Sequence, residues 1–255
     1  MKSAVLALLL SAGAAQAASS DDIFALYAKG DYDQAARLGE AAHTAQGYAI
    51  AARAVLAEDV LRDQPCMDCL TRAETLARQA VAADPHNAYG QVWLAVALGY
   101  QSRLIGAVKA RLRGTPAASK AALDTAIADD PKNPFAVSAL GGWHIEVVRG
   151  GGAFLARTIY GATESEAVAL FDRAVRLAPG NVAVRYQVAL ALAGFDDDKY
   201  RARIAAELRA ALAGEAVTAY EKKIQDRANE MLGLLNRGPH DAFAARLRKY
   251  QGFAD

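Results

Sequence analysis

Small and apolar residues recur along the chain three and four positions apart, which is the period of a helix with one buried face. Three segments align without gaps. Ala73, Ala77 and Ala80 precede Pro85; Ser119, Leu123 and Ala126 precede Pro131; Ala167, Phe171 and Ala174 precede Pro179. Each has an Asn two residues after its Pro, at Asn87, Asn133 and Asn181. An earlier copy reads Ala35, Gly39 and Ala42, with Gly47 where the Pro would stand. Small residues on one face let a neighbouring helix approach closely, and Leu123 or Phe171 fills the space between. The Pro ends the helix, and the Asn suits the turn that follows. A further helix then carries the large residues. These are Trp93, Leu94 and Leu98 after the first turn, Phe135, Leu140 and Trp143 after the second, and Tyr186, Val188 and Leu192 after the third.

Beyond Asn181 the pattern predicts helices over residues 182–193, 202–212 and 217–235. The stretch Asp196-Asp197-Asp198 reads as a solvated turn, since it lacks the alternating spacing and Gly of a calcium loop. A polar closing helix follows over 241–250, with Asp241 placed as its N-cap. A charged last helix suits the end of a stacked array, which must turn one face to water.

These units resemble tetratricopeptide repeats, helix-turn-helix modules that stack into a superhelix. The stretch Leu26-Tyr27-Ala28-Lys29-Gly30-Asp31-Tyr32-Asp33-Gln34-Ala35 has that family's Gly-Asp-Tyr turn, and Ala167, Phe171, Ala174 and Pro179 match its second-helix pattern. The resemblance implies an all-α, right-handed α-α solenoid of helical hairpins. The spacing departs from the family, because Pro85 to Pro131 is 46 residues and Pro131 to Pro179 is 48. The surplus falls in 106–118 and 148–163 and is expected as inter-helix insertions. A narrower stretch, residues 126–181, is similar to the tetratricopeptide-like region of the regulator of microtubule dynamics family. It shares the DP-x-NP run, Leu140-Gly141-Gly142-Trp143-His144 and the long insert ending Tyr160-Gly161. What that resemblance implies here is architecture, since that family's cellular role does not suit an exported chain.

Export is expected from residues 1–17. Lys2 is basic, Ala4 to Leu10 is an apolar core, and Ala15-Gln16-Ala17 is a small-x-small cleavage site. The apolar core is shorter than the ~20 residues a bilayer-spanning helix needs. Cleavage after Ala17 would leave a soluble periplasmic chain, 18–255, read as one helical solenoid domain of about five hairpins plus a C-terminal capping helix. Composition agrees with this reading. Alanine, the best helix former, supplies 61 of the 255 residues. The whole chain has 29 Lys+Arg against 28 Asp+Glu, a balance that speaks against a nucleic-acid binder.

Motifs for catalysis are missing from the sequence. There is no H-E-x-x-H, no G-x-S-x-G and no phosphate loop, and His43, His86, His144 and His240 show no metal-ligand spacing. No cofactor and no enzymatic activity are therefore expected. His144 reads either as a pocket residue or as a half-buried histidine satisfied by a backbone carbonyl. Gly150-Gly151-Gly152 reads as the start of a flexible loop. Cys66 and Cys69 are the only cysteines. In an oxidising compartment they suit a local structural disulfide in an inter-helix loop, with a redox-active dithiol and a metal site as alternatives. Leu70 stands where haem attachment would need His.

The first helices of the units should line a groove, offering Tyr89, Trp93, Tyr100, Phe135, Trp143, His144 and Tyr186. Family members that hold acidic peptide termini use Asn on this surface, whereas Val96, Gly142 and Leu190 stand there in this chain. Between Asp84 and Asp124 there is no acid, yet Arg103, Lys109, Arg111, Arg113 and Lys120 fall there. Read as one helix, Leu104, Ile105, Val108 and Leu112 share a face, with Arg103, Lys109 and Arg113 opposite. That basic face is either simply solvated or docks an acidic partner or the anionic face of a membrane. The expected function is a non-catalytic envelope scaffold that holds other proteins. The alternative is a redox or small-ligand-binding periplasmic protein centred on Cys66 and Cys69 or on the insert 148–163.

Overall fold

The computed structural model describes residues 18–62 and 64–253. The expected signal peptide and the cleavage after Ala17 lie outside the described residues. Thirteen α-helices are present among the described residues, and no strand. They are α1 (Ser20–Lys29), α2 (Tyr32–Ala41), α3 (Ala45–Leu61), α4 (Met67–Ala83), α5 (Ala88–Ile105), α6 (Ala107–Leu112) and α7 (Thr115–Asp129). Then come α8 (Pro134–Leu155), a π-helical turn (Ala156–Tyr160), α9 (Glu164–Leu177), α10 (Val182–Asp196), α11 (Arg201–Ala213), α12 (Ala219–Arg237) and α13 (His240–Tyr250). None is long and apolar enough to cross a membrane.

Chain-adjacent helices pack as pairs, and the repeat marks one helix of each pair. Ala73, Ala77 and Ala80 lie buried on α4, Ser119, Leu123 and Ala126 on α7, and Ala167, Phe171 and Ala174 on α9. The three repeated Asn residues do more than tolerate a turn. Each is an N-cap whose Oδ1 accepts backbone N–H groups that the next helix leaves unpaired. Asn87 accepts from Gly90 at 2.7 Å, Asn133 from Phe135 and Ala136 at 3.1 Å, and Asn181 from Val184 at 2.9 Å. The first copy departs from the repeat. Gly47 marks no turn but sits inside α3, which Thr44 caps. A Cβ on Gly47 would lie 2.7 Å from the Gly39 carbonyl oxygen, so these two glycines let α2 and α3 touch.

The array curls back on itself. α12 packs against α1 and α3, more than 150 positions away. Gly30 abuts Ala219, and the buried Arg227 donates to the Val60 carbonyl at 2.8 Å. Arg103, at the end of α5, donates to the Gln251 carbonyl at 2.8 Å, while the Gln251 amide donates to Leu190 of α10 at 2.8 Å. The first helix of each pair faces inward, so this return encloses the space that an open array would leave as a groove.

Two expectations about local structure need correction. His240 opens α13 and Pro239 holds the cap position, so Asp241 lies in the first turn and caps nothing through its side chain. The continuous amphipathic helix expected across 103–113 is broken at Gly106, whose φ of 81° and ψ of 157° are open only to glycine. The break turns α6 out of phase with α5. Val108 and Leu112, expected on a buried face, are 76% and 82% exposed. Arg103, expected on the wet face, is instead half-buried and ion-paired to Glu146.

Candidate functional site

The inward faces of α3, α5, α8 and α10, roofed by α12, α13 and Phe253, surround a cavity of about 760 Å³. The size falls within the ~300–1,000 Å³ of small-molecule sites. Most of the wall is aliphatic or aromatic, and its charged groups lie at Arg53, around Glu146 and, at Arg111, on the rim.

At the first, Arg53 of α3 enters an aromatic cage. Its guanidinium carbon lies 4.4 Å from the ring centre of Tyr27, 5.4 Å from Trp93, 5.5 Å from Phe24 and 5.6 Å from Phe135. The rings support one another, with Trp93 6.0 Å from Phe135. Such faces attract a cation, yet no carboxylate lies within 4 Å of Arg53 among the described residues. Burial raises the Tyr27 phenol above its ordinary pKa, with Arg53 opposing, so Tyr27 stays neutral.

At the second place, Glu146 of α8 accepts from Arg103 at 3.1 Å and from Arg149. Burial works against its charge, but the two guanidinium groups outweigh it and hold the carboxyl below the usual range. One carboxylate answers two guanidinium groups here, so the cluster keeps a net positive charge, and Arg103 Nε is buried without a partner. Arg53, by contrast, has no carboxylate partner at all, which among the described cavity-lining cations it shares with Arg111 at the rim.

Residues that both line the cavity and are exposed mark its mouth. All of them fall in 106–111 or 149–159. These are the two insertions expected from the repeat spacing. The first is α6, bracketed by Gly106 (φ 81°) and Gly114 (φ 70°). The second follows a break in α8 at Gly152 (φ 75°) and ends at Gly161 (φ 67°). A Cβ on any of the four would meet no atom within 4 Å, so it is backbone conformation, not crowding, that calls for glycine there.

The groove candidates divide. Trp93, Tyr100, Arg103 and Trp143 line the cavity, as does Phe135. Tyr89 is 37% exposed and stacks on the back of Trp93 at 6.4 Å. Tyr186 is wholly buried in a separate core with α11 and α12, its hydroxyl unpartnered. Lys109 on α6 and Arg113 just after it are exposed and do not line the cavity.

His144 packs edge-on to Trp143 and is 5% exposed. Its Nδ1 accepts from the Thr163 backbone N–H at 3.1 Å, so its partner is an amide and not the carbonyl expected. Burial lowers its pKa, keeping the ring neutral and Nδ1 free to accept. An unfolded chain takes up this proton near pH ~6.5, the folded one only at lower pH. Stability should therefore fall as pH drops below that value, until the folded pKa is passed. In His144→Asn, which keeps an acceptor but does not titrate, urea unfolding should lose less stability between neutral and mildly acid pH. Equal losses in parent and variant would rule out His144 as the cause.

Cys66 and Cys69 are disulfide-bonded. Cys66 is the N-cap of α4 rather than part of a free loop, and its Sγ accepts from the Cys69 N–H at 3.1 Å. Asp59 of α3, its pKa raised by burial, accepts from the Cys66 N–H at 2.9 Å and anchors the turn. The Asp59 carboxylate and the two sulfurs lie within 4.8 Å of one another. Paired sulfurs offer no thiolates, so this trio holds no cation in the oxidised state. Replacing both cysteines with Ser should leave the helical circular dichroism unchanged and cost under ~2 kcal/mol, because the closed loop is very short and Ser is itself a good N-cap. A collapse of helicity would show that the bond carries the fold.

Arg53 escaped the sequence reading, yet it has a signal: it is the only charge between Ala45 and Ala57, an Ala-rich stretch. Gln187, also in the wall, stands at the repeat position of Trp93, eight residues after its Pro, whereas Tyr220 carries no such mark.

The model of the family described as regulator of microtubule dynamics protein 1-3 matches residues 21–236, far beyond the 126–181 stretch that first suggested it. No curated protein matches the chain.

Proposed function

Because the chain belongs to the regulator of microtubule dynamics protein 1-3 family, we propose that it uses the helical architecture of that family to bind a small amphiphile, an apolar chain with one acidic head, and that it does so after export to the periplasm. Microtubules appear in the family's name; what supports a role here is the cavity. We read the architecture as tetratricopeptide-like hairpins whose array has closed on itself, which turns a peptide groove into a ligand chamber.

The observation that carries this reading is Arg53, a caged cation without a carboxylate in the wall of an apolar chamber. An acidic head at Arg53 would gain a charge-assisted hydrogen bond, and the alkyl chain would lie along α5 and α8 toward the mouth. Each methylene buried contributes ~0.8 kcal/mol, so about ten of them contribute roughly 8 kcal/mol against the cost of ordering the ligand. Export is supported by the signal-like pattern of residues 1–17.

Stripping the mature chain of bound lipid and titrating it with dansyl-undecanoate tests the reading. Saturable one-to-one binding, competed by decanoate and poorly by decanol, is expected. Equal competition by the alcohol would remove the acidic head from the reading. A complete lack of binding would leave the protein-holding scaffold as the better account of the array.

A further inference from the structure

We infer that the mouth of the cavity is a docking surface for an anionic lipid bilayer, since the exposed apolar side chains of α6 and of the segment after Gly152 stand among cations that have no carboxylate partner.

Nine large apolar side chains are exposed among the described residues, and five of them are here. Val108 is 76% exposed, Leu112 82%, Phe154 79%, Leu155 46% and Ile159 44%. They come from two segments 40 residues and more apart in sequence; Val108, Leu155 and Ile159 line the opening itself, and Leu112 and Phe154 belong to the same two segments. Scattered exposed apolar residues are ordinary, but a cluster calls for a partner. Their own chain does not cover them, because the glycine breaks at Gly106 and Gly152 turn both segments outward from the helices that precede them.

Charge indicates what the partner is. Lys109 and Arg111 on α6, Arg113 just after it, and Arg157 on the π-helical turn are exposed, and none has a carboxylate within 4 Å among the described residues. No Asp or Glu occurs in 85–123 or in 147–163. In a chain otherwise balanced in charge, both lips of the cavity lack acids. Apolar tips interleaved with Lys and Arg are the pattern by which a protein inserts shallowly at the lipid interface while its cations meet acidic headgroups. A protein partner would need a matched surface spanning a hole; a fluid bilayer needs none, and it presents alkyl chains to the opening. Delivery of a ligand through this mouth rests on the cavity reading above, whereas the docking does not.

Co-sedimentation with vesicles tests the inference. Phosphatidylcholine vesicles containing phosphatidylglycerol should retain the protein, pure phosphatidylcholine vesicles should not, and added salt should weaken retention. The variant Leu112→Ser/Phe154→Ser should bind at least ~10-fold less, and Lys109→Glu/Arg111→Glu/Arg113→Glu should fall to the level of neutral vesicles. All of these positions are exposed, and circular dichroism checks that both variants fold. Leu112 and Phe154 do not line the cavity, so L112S/F154S should still take up dansyl-undecanoate in the absence of vesicles. Loss of docking with uptake intact is thereby distinguished from failure of the cavity itself. The inference is overturned if anionic and neutral vesicles bind alike, if both variants bind like the parent, or if no vesicle binds. It is also overturned if sedimentation shows a dimer that L112S/F154S dissolves, which would make a second copy the occupant.

Discussion

Phe171→Ala is expected to lower the unfolding free energy by about 3–5 kcal/mol, the loss seen when a large ring leaves a packed core. The ring is 1% exposed and lies on α9 against α8. A Cβ placed on Gly141 would sit 2.7 Å from two of its carbons, so the glycine is the floor on which the ring lies. Residues on both sides are held by their own helices, so the space cannot collapse. The ring also faces the cavity, and its removal would open the core to that space. For a chain of this size, each kcal/mol moves the melting temperature by roughly 2–4 °C. Ala174→Glu is expected to do more. Ala174 is wholly buried one turn further along the same face, and a carboxylate there finds neither water nor a partner. Thermal and urea unfolding read both effects. If the two variants melt like the parent, the contact between α8 and α9 is not what holds this part of the array.

Much of the hairpin pattern was legible because it is local. Ala167, Phe171 and Ala174 share a face through helical geometry alone, and Pro179 ends their helix through its own ring. The positions of the insertions were legible for the same reason, as surplus length between matching prolines. What the insertions do was not, because their orientation depends on backbone angles at Gly106 and Gly152 that a hydrophobic count does not register. An unbroken helix would have placed Val108 with Leu104; the glycine puts it in solvent. The enclosure of the groove was hidden for a different reason. It depends on Arg227 reaching Val60 and Arg103 reaching Gln251, pairs more than 140 positions apart. Nothing in the pattern of either partner names the other. Tyr186 illustrates the cost: it stands one position before the equivalent of Trp93, which Gln187 fills, so Gln187 faces the cavity while Tyr186 is buried in a second core with α12.

Arg53→Met should weaken binding of an acidic amphiphile by roughly 10- to 100-fold while leaving a neutral chain of equal length unaffected. Hydrogen bonds to charged groups are worth ~1.5–3 kcal/mol, and each 1.4 kcal/mol is a factor of ten in affinity. Met keeps most of the aliphatic stem that packs between Tyr27 and Trp93, so the cage should not fall in. The stability cost should be small, since no ion pair is broken and only the attraction of the four rings is lost, at about 0.5–2 kcal/mol in all. Arg53→Lys separates charge from shape. A lysine retains the positive charge but not the planar group that lies across aromatic faces while offering a forked donor to a carboxylate. Its affinity for the acid should lie between those of the parent and the Met variant. Isothermal titration with decanoate and decanol reads all three chains. Equal affinities for the acid across the series would mean that Arg53 serves only to hold Phe24, Tyr27, Trp93 and Phe135 together. A selective loss for the acid would make the ligand the missing partner of a cation that the chain itself leaves without one.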